Sequence, residues 1–296
     1  MTEGVSAGLD RVEGVRIDLH THSTESDGTQ APQQVMAAAA VAGLDVVALT
    51  DHDTTSGWQQ AASAVHEQGV ALVRGIEISC SVGGISVHLL GYLIDPSSEP
   101  LTRELDHARD SREHRARRMV DLLTPDTGLT WEQVRAQAAP GATLGRPHIA
   151  DAMVVAGVVA DRNEAFATYL ASNGKYHVSH YAPHPARAVE LVRAAGGVPV
   201  MAHPLAHQRG RVVDESVIRE MADAGLGGIE VFHRDHDDAS RRRAEELASE
   251  LGLFVTGSSD YHGTGKDNRL GENTTTPRVL ETIAAQATSP TEILWP

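Results

Sequence analysis

Arg16-Ile17-Asp18-Leu19-His20-Thr21-His22 opens the part of the chain whose reading decides the fold, and Val46-Val47-Ala48-Leu49-Thr50-Asp51-His52-Asp53 repeats its plan. In each, a short apolar run with strand character ends in imidazoles and carboxylates. Between them residues 31–42 are Ala-rich, with a helix stop signal at Gly43. Strand, helix and strand in that spacing indicate a parallel α/β unit. When such units close into a barrel, the C-terminal strand ends converge, so the groups just beyond each strand are expected to meet.

The same plan continues outward. Further β-like runs lie at 71–79, 85–92, 198–203, 228–232 and 253–257, and helical segments at 56–68, 186–195, 214–224 and 239–251. One pair breaks the alternation: the runs around Glu77 and His88 are separated by Ser81-Val82-Gly83-Gly84, which reads as a hairpin. A turn centred on Val82–Gly83 would set Glu77 directly opposite His88, with both side chains on one face.

Residues 100–185 differ in character. They contain no convincing β-run, and helices are expected over 101–123, from Trp131 to Ala138 and after Gly145-Arg146-Pro147. Their ten basic and ten acidic residues cancel, so the net charge of −15 lies wholly elsewhere. The expected organisation is a barrel formed by 1–99 and 186–296, with 100–185 as a helical insertion capping it. Residues 1–15 read as a lead-in.

Composition narrows the function. An acidic surface argues against a duplex DNA binder but not against a small anionic substrate held in a locally positive site. Aromatic residues are only 4%, so the core must be aliphatic. The single cysteine, Cys80, permits no intrachain disulfide and no cysteine-based zinc site, and points to a reducing cytoplasmic home. No signal peptide and no membrane-spanning run is evident.

The chain has 16 histidines, and many fall where chemistry could use them. The seven runs end at or near His20 and His22 (with Asp27 five residues on), His52, Glu77, His88, His203, His233, and Asp260 with His262. His-x-His in extended chain sets two imidazoles on one side, where one ion can take both. A carboxylate such as Glu77 within an apolar strand is costly unless paired or bound to a cation. Histidines in helices and loops, such as His66, His107, His114, His177, His180, His184, His207 and His236, are for the most part expected to be solvated.

The motifs Asp-Leu-His-Thr-His-Ser, Leu-Thr-Asp-His-Asp, Gly-Ile-Glu-Ile-Ser, Val-His-Leu-Leu-Gly, Ala-His-Pro, Ile-Glu-Val-Phe and Gly-Ser-Ser-Asp-Tyr-His, in that order, resemble those of the PHP (polymerase and histidinol phosphatase) superfamily. The resemblance is strongest to its bacterial branch of 3',5'-nucleoside bisphosphate phosphatases and 5'→3' exoribonucleases. It covers about 16–95 and 197–275, with Gly145-Arg146-Pro147-His148 in the insertion.

The resemblance implies an α/β fold, a distorted (β/α)7 TIM-like barrel with a helical insertion. It implies two to three divalent ions (Mn2+, Fe2+ or Zn2+), one on His20, His22, Glu77 and Asp260, a second on Glu77, His88 and His203, and a third on Asp27, His52 and His262. Among these, Asp27, His52, Glu77, Asp260 and His262 carry the catalytic roles. Three such ions against three carboxylates leave a positive pocket suited to phosphate. Arg146, His148 and His233 are the expected substrate contacts. Arg112, Arg115 and Arg118 recur at helical spacing and read as a solvated face, with lining of the cap as the alternative. Asp18, Asp51 and Asp53 are candidates to orient the imidazoles, with capping or turn chemistry as the alternative.

The expected chemistry is metal-assisted hydrolysis of a small phosphorylated nucleotide, with short single-stranded RNA as a further substrate and neither duplex DNA nor membrane as partner. Histidinol phosphate, amidohydrolase chemistry on a similar barrel, and a non-catalytic metal or nucleotide sensor stand as alternatives.

Overall fold

In the computed structural model residues 14–171 and 174–296 are described, so most of the expected lead-in lies outside the described residues. Seven strands form one sheet in chain order: β1 Ile17–Asp18, β2 Val46–Leu49, β3 Ala71–Val82, β4 Ile85–Tyr92, β5 Val198–Met201, β6 Gly228–Phe232 and β7 Phe254–Gly257. Beyond the strands, His22 N donates to Tyr261 O (2.8 Å) and a parallel bridge joins Thr21 to Tyr261. The exits of β7 and β1 therefore meet, and the sheet is nearly closed.

Strict β/α alternation holds on either side of β4 but not at it. β4 runs antiparallel to both β3 and β5, whereas the other neighbours are parallel. The hairpin is confirmed, but its register differs from the expected one. Val82 pairs with Ile85, which sets Ser79 opposite His88 and Glu77 opposite Leu90. The turn centres on Gly83–Gly84 because both adopt left-handed φ (58° and 74°), as a two-residue turn matched to strand twist requires. The shift is by a whole pair, so Glu77 and His88 remain on one face as diagonal neighbours.

Side chains alternate across the sheet. Val46, Ala48, Ala71, Val73, Leu90, Tyr92, Val198 and Val200 form one apolar cluster, which Leu280 and Ile283 of a helix at Pro277–Gln286 join. Val47, Leu49, Leu72, Ile76, Ile78 and Ile229 pack on the opposite side beneath the helices. Burying two such faces is what consumes the aliphatic residues.

The helices α1 Pro32–Val41, α2 Trp58–Gln68, α3 Glu99–Thr127, α4 Trp131–Arg135, α5 Arg146–Val155, α6 Arg162–Thr168, α7 Pro185–Ala194, α8 Glu215–Asp223, α9 Asp238–Leu251 and α10 Pro277–Gln286 complete the described structure. Neither α6 nor α10 was expected from the sequence, and α3 extends beyond the range read for it. The segment from Ala116 to Val178 contributes an apolar cluster of its own. It docks on the strand ends through Thr143 N to Glu25 O (3.1 Å), and through Arg162, which pairs with Asp151 and donates to the carbonyls of Asp27 and Gly265. Among the described residues no helix is long and apolar enough to cross a membrane.

Candidate metal centre

The site is organised around Glu77. Parity along β3 places Glu77 on the same face as Ala71 and Val73, inside the sheet. There it is 1% exposed and faces five imidazoles. Its Oε2 lies 3.2 Å from His20 Nε2, 3.1 Å from His22 Nε2 and 3.2 Å from His52 Nδ1. Its Oε1 lies 2.8 Å from His88 Nδ1 and 3.4 Å from His203 Nε2. Asp260 Oδ1 joins from the β7 exit, 3.4 Å from His20 Nε2 and 3.3 Å from His22 Nε2. Asp27 closes the other side, with Oδ1 3.1 Å from His262 Nε2 and Oδ2 3.8 Å from His52 Nε2. All nine residues singled out as ligands thus lie in one mouth of the sheet.

Backbone geometry aims several of them. Val200 and Ala202 belong to the inward cluster, so continued extension would send His203 outward. Instead His203 has φ of 30°, and Asp260 has φ of 54°. Left-handed backbone at non-glycine residues costs about 1–3 kcal/mol, and such strain clusters at functional sites. Gly28, after the His20-Thr21-His22 motif, permits close approach of chain to chain, since a Cβ there would lie 2.5 Å from the His22 carbonyl oxygen.

The donors fit divalent ions. His20, His22, Glu77 and Asp260 offer four ligand atoms around one point, and similar groupings occur at His22, Asp27, His52 and His262 and at His52, Glu77 and His88. A four-coordinate ion with bonds of about 2.0–2.1 Å holds its ligands about 3.3 Å apart, and the first group has this spacing. Both Glu77 oxygens, His52 Nδ1, His88 Nδ1, His203 Nε2 and His262 Nε2 are buried without a hydrogen-bond partner. Such atoms ordinarily cost about 1–3 kcal/mol each, more for a charged group, and a cation satisfies them together. The grouping of His52, Glu77 and His88 contains His52 where the resemblance implied His203, which remains next to Glu77 but outside the three groups.

Surrounding groups set which ring nitrogen faces inward. His20 Nδ1 donates to Glu230 Oε1 (3.1 Å) and His262 Nδ1 to the Asp260 carbonyl (2.8 Å), so each presents a bare Nε2 to the centre. Glu230 was not singled out from the sequence. It is fully buried on β6 and also accepts from Ser258 Oγ (2.8 Å) and His203 N (3.0 Å). The signal was present: Ile229 and Val231 pack outward, so the acid between them must point inward.

Electrostatics reflect crowding. Burial lowers the basicity of His22, but hydrogen bonds to Asp260 and Glu77 outweigh it and raise its pKa to about 9. Burial, with Arg209 nearby, pushes His203 down to about 3, and burial with Lys266 pushes His262 to about 4. Burial lifts Asp18 to about 6.

Asp18, Asp51 and Asp53 do not bond imidazoles. Asp18 accepts from the amides of Ser259 (3.0 Å) and Gly271 (2.9 Å). Asp51 accepts from Ser23 N and from the hydroxyls of Ser23 and Ser26. Asp53 accepts from Ser79 N (2.8 Å) and pairs with Arg112 (2.7 Å). Turn chemistry is therefore their main work, because each sits at a strand exit where amides lose their ladder partners.

The expected substrate contacts stand around this centre. His233 is buried; its Nδ1 accepts from Asp235 N (3.1 Å) and its Nε2 lies 3.7 Å from Asp260 Oδ2. His148 Nδ1 accepts from Gly145 N (3.1 Å) at the start of α5. Arg146 donates to Leu170 O (3.1 Å) and stacks over Phe166 (5.5 Å). His236, in a loop, is buried rather than solvated: Nδ1 donates to Val231 O and Nε2 accepts from Leu205 N. Arg112 is 12% exposed, not part of a solvated face. The cause is Asp53, whose carboxylate draws it down to the strand exits.

The chain is similar to several known proteins. A family model described as PHP domain matches residues 18–123. A 3',5'-nucleoside bisphosphate phosphatase of Chromobacterium violaceum is 33% identical over 90% of this chain and 94% of its own. A 5'-3' exoribonuclease of Haemophilus influenzae is 32% identical over 87% of this chain and 94% of its own. A crystal structure of a Bifidobacterium adolescentis protein, described as a metal-dependent phosphoesterase, superposes with TM-score 0.90 at 38% identity and covers 95% of this chain and 99% of that one.

Proposed function

Because the chain belongs to the PHP family and is a metal-dependent phosphoesterase, we propose that it hydrolyses phosphomonoesters of small nucleotides, foremost 3',5'-nucleoside bisphosphates, with 5'-phosphorylated short RNA as a further substrate. The observation that carries this reading is the ring of five imidazoles around Glu77, whose two oxygens have no hydrogen-bond partner.

His20, His22, Glu77 and Asp260 would hold one ion. Glu77 and His88, with His52 and His203 beside them, would hold a second, and Asp27, His52 and His262 a third. When bound, divalent ions supply Lewis acidity, an activated water and neutralisation of phosphate charge. The chain's own residues do the rest. Glu230 and the Asp260 carbonyl hold the His20 and His262 rings in one tautomer, so the site needs little rearrangement. Arg146 and His148, at the start of α5, would bind phosphate oxygens, and His233 would contact substrate beside Asp260. Residues 100–185 act as a cap domain over the barrel of 1–99 and 186–296, excluding water from the mouth. Its neutral, arginine-bearing character suits a nucleotide better than a small amino alcohol phosphate, and the acidic remainder suits short over long polyanions.

The test is phosphate release with added Mn2+ from a 3',5'-bisphosphate, nucleoside monophosphates, histidinol phosphate and 5'-phosphorylated RNA oligomers. Fastest turnover of the bisphosphate is expected. A clear preference for histidinol phosphate, or turnover of an amide with no phosphate release from any member, would overturn the assignment.

A further inference from the structure

One ion pair of the insertion is planted against the metal centre. Arg162 opens α6, and its guanidinium forks onto Asp151 of α5, with Nε donating to Oδ1 (2.5 Å) and Nη2 to Oδ2 (2.6 Å). The other terminal nitrogen, Nη1, faces the barrel and donates to the carbonyl oxygens of Asp27 (3.4 Å) and Gly265 (3.4 Å). Four of the five N–H groups of the side chain are thereby engaged, two by the insertion and two by the barrel.

The two carbonyls belong to the loops that carry Asp27 and His262. Asp27 Oδ1 and His262 Nε2 lie 3.1 Å apart within one group of candidate ligands, His22, Asp27, His52 and His262. The loops are also tied to each other: Thr29 N donates to the His262 carbonyl (3.1 Å), and Thr264 N to Thr29 Oγ1 (2.8 Å). Arg162 grips both main chains at once. Gly265 makes the room for it, since a Cβ there would lie 2.3 Å from Arg162 Nη1 and 3.0 Å from its Cζ. The fork with Asp151 neutralises the guanidinium, so it can stand close to a cation site with little repulsion. A planar donor set reaches one carboxylate and two carbonyls in a fixed geometry, which an ammonium cannot copy.

We propose that Arg162 is a positioning residue for the Asp27, His52 and His262 ion. With the insertion seated on the strand ends, Arg162 holds the Asp27 and His262 loops at ligand spacing, so firm uptake of that ion depends on the docked insertion. This rests on the metal-centre reading above and adds a link between the two parts of the chain. Among the described residues Arg162 makes no hydrogen bond to the strands that deliver His88 and His203, so their share of the centre is expected to be unaffected.

The experiment measures Mn2+ uptake by equilibrium dialysis with elemental analysis, and the Mn2+ concentration for half-maximal phosphate release. It compares the wild type with Arg162→Gln, Arg162→Lys and Gly265→Ala. Arg162→Gln should weaken the more loosely held Mn2+ by about 10- to 100-fold, leave the tighter Mn2+ within about twofold, and lose activity that excess Mn2+ restores. Arg162→Lys should recover part of the loss, since charge returns to Asp151 without the planar fork. Gly265→Ala attacks the same contact from the barrel side, displacing Nη1 while Arg162 and Asp151 stay in place, and should weaken the same Mn2+.

Unchanged Mn2+ uptake in folded Arg162→Gln, or a loss spread equally over all bound Mn2+, would overturn the proposal. A lowered melting temperature of the metal-free protein with unchanged uptake would make Arg162 a packing residue only. If Arg162→Gln gives no cooperative melt, Gly265→Ala and Arg162→Lys decide by the same criteria. A wild type that takes up no Mn2+ defeats the metal reading and the proposal with it, whereas variants that match a Mn2+-binding wild type defeat the proposal alone.

Discussion

Glu230 Oε1 accepts the Nδ1 proton of His20 at 3.1 Å, while Glu230 Oε2 accepts the backbone amide of His203 at 3.0 Å. One buried carboxylate therefore fixes the ring of one candidate ligand and the main chain of another, and it does so from inside the sheet, beneath the metal centre.

Glu230→Gln should keep the shape of the side chain but remove the charge that favours the Nδ1–H form of His20. Metal affinity is expected to fall about 10- to 100-fold, with phosphate release falling in parallel at limiting metal. Metal titration followed by elemental analysis reads the first quantity, and excess Mn2+ should restore much of the second. Unchanged affinity would show that Glu230 is only a packing residue.

Glu77→Gln removes the charge on which five imidazoles converge. Bound metal should drop below that of the wild type in dialysed protein, and phosphate release should fall on the order of 10²–10³-fold or more. The thermal transition should remain cooperative, because the apolar clusters on both sides of the sheet are untouched. Retention of full metal content would remove Glu77 from the centre.

Metal loading should release protons at pH 7. With no metal, Asp260 and Glu77 hold His22 up at about 9, so its ring is charged at neutrality, whereas a ligand must be neutral. Calorimetry of Mn2+ binding in buffers of different ionisation enthalpy should report roughly one proton or more per chain. Apparent affinity should rise with pH up to about 9. The same raised pKa means that charged His22 stabilises the metal-free fold fully below about 6.5, a contribution lost as pH climbs through about 9.

Arg146→Ala should leave metal content intact while raising KM about tenfold for nucleotide substrates. It also forfeits the stack on Phe166 and the bond to Leu170 O, so a loss of about 1–2 kcal/mol in stability is expected by denaturant titration. Unaltered KM and kcat on every active substrate would dismiss Arg146 as a phosphate contact.

Much of the fold was legible because the barrel repeats one local rule. Each of the seven strand runs was read to within a few residues, since apolar stretches bounded by Gly, Asp and His carry a strong local signal. The hairpin register was missed by one pair: two adjacent glycines can supply the two left-handed positions of a tight turn, and Gly83–Gly84 do so where Val82–Gly83 could not without strain. Helix α6 escaped notice because its seven residues carry little periodicity to read.

What the sequence determined by itself was the supply and spacing of donors. His20 and His22, Glu77, and Asp260 with His262 follow strands, and strands of one sheet deliver their exits to one place. Tertiary structure alone decided how those donors are aimed. His203 turns inward only through a left-handed φ of 30°, Glu230 reaches His20 from 210 positions away, and Arg112 leaves the solvated face of its helix to meet Asp53. The physical reason is range: hydrophobic pattern and turn chemistry act between near neighbours in the chain, whereas the pairing of buried charges depends on distances that exist only once the sheet has closed.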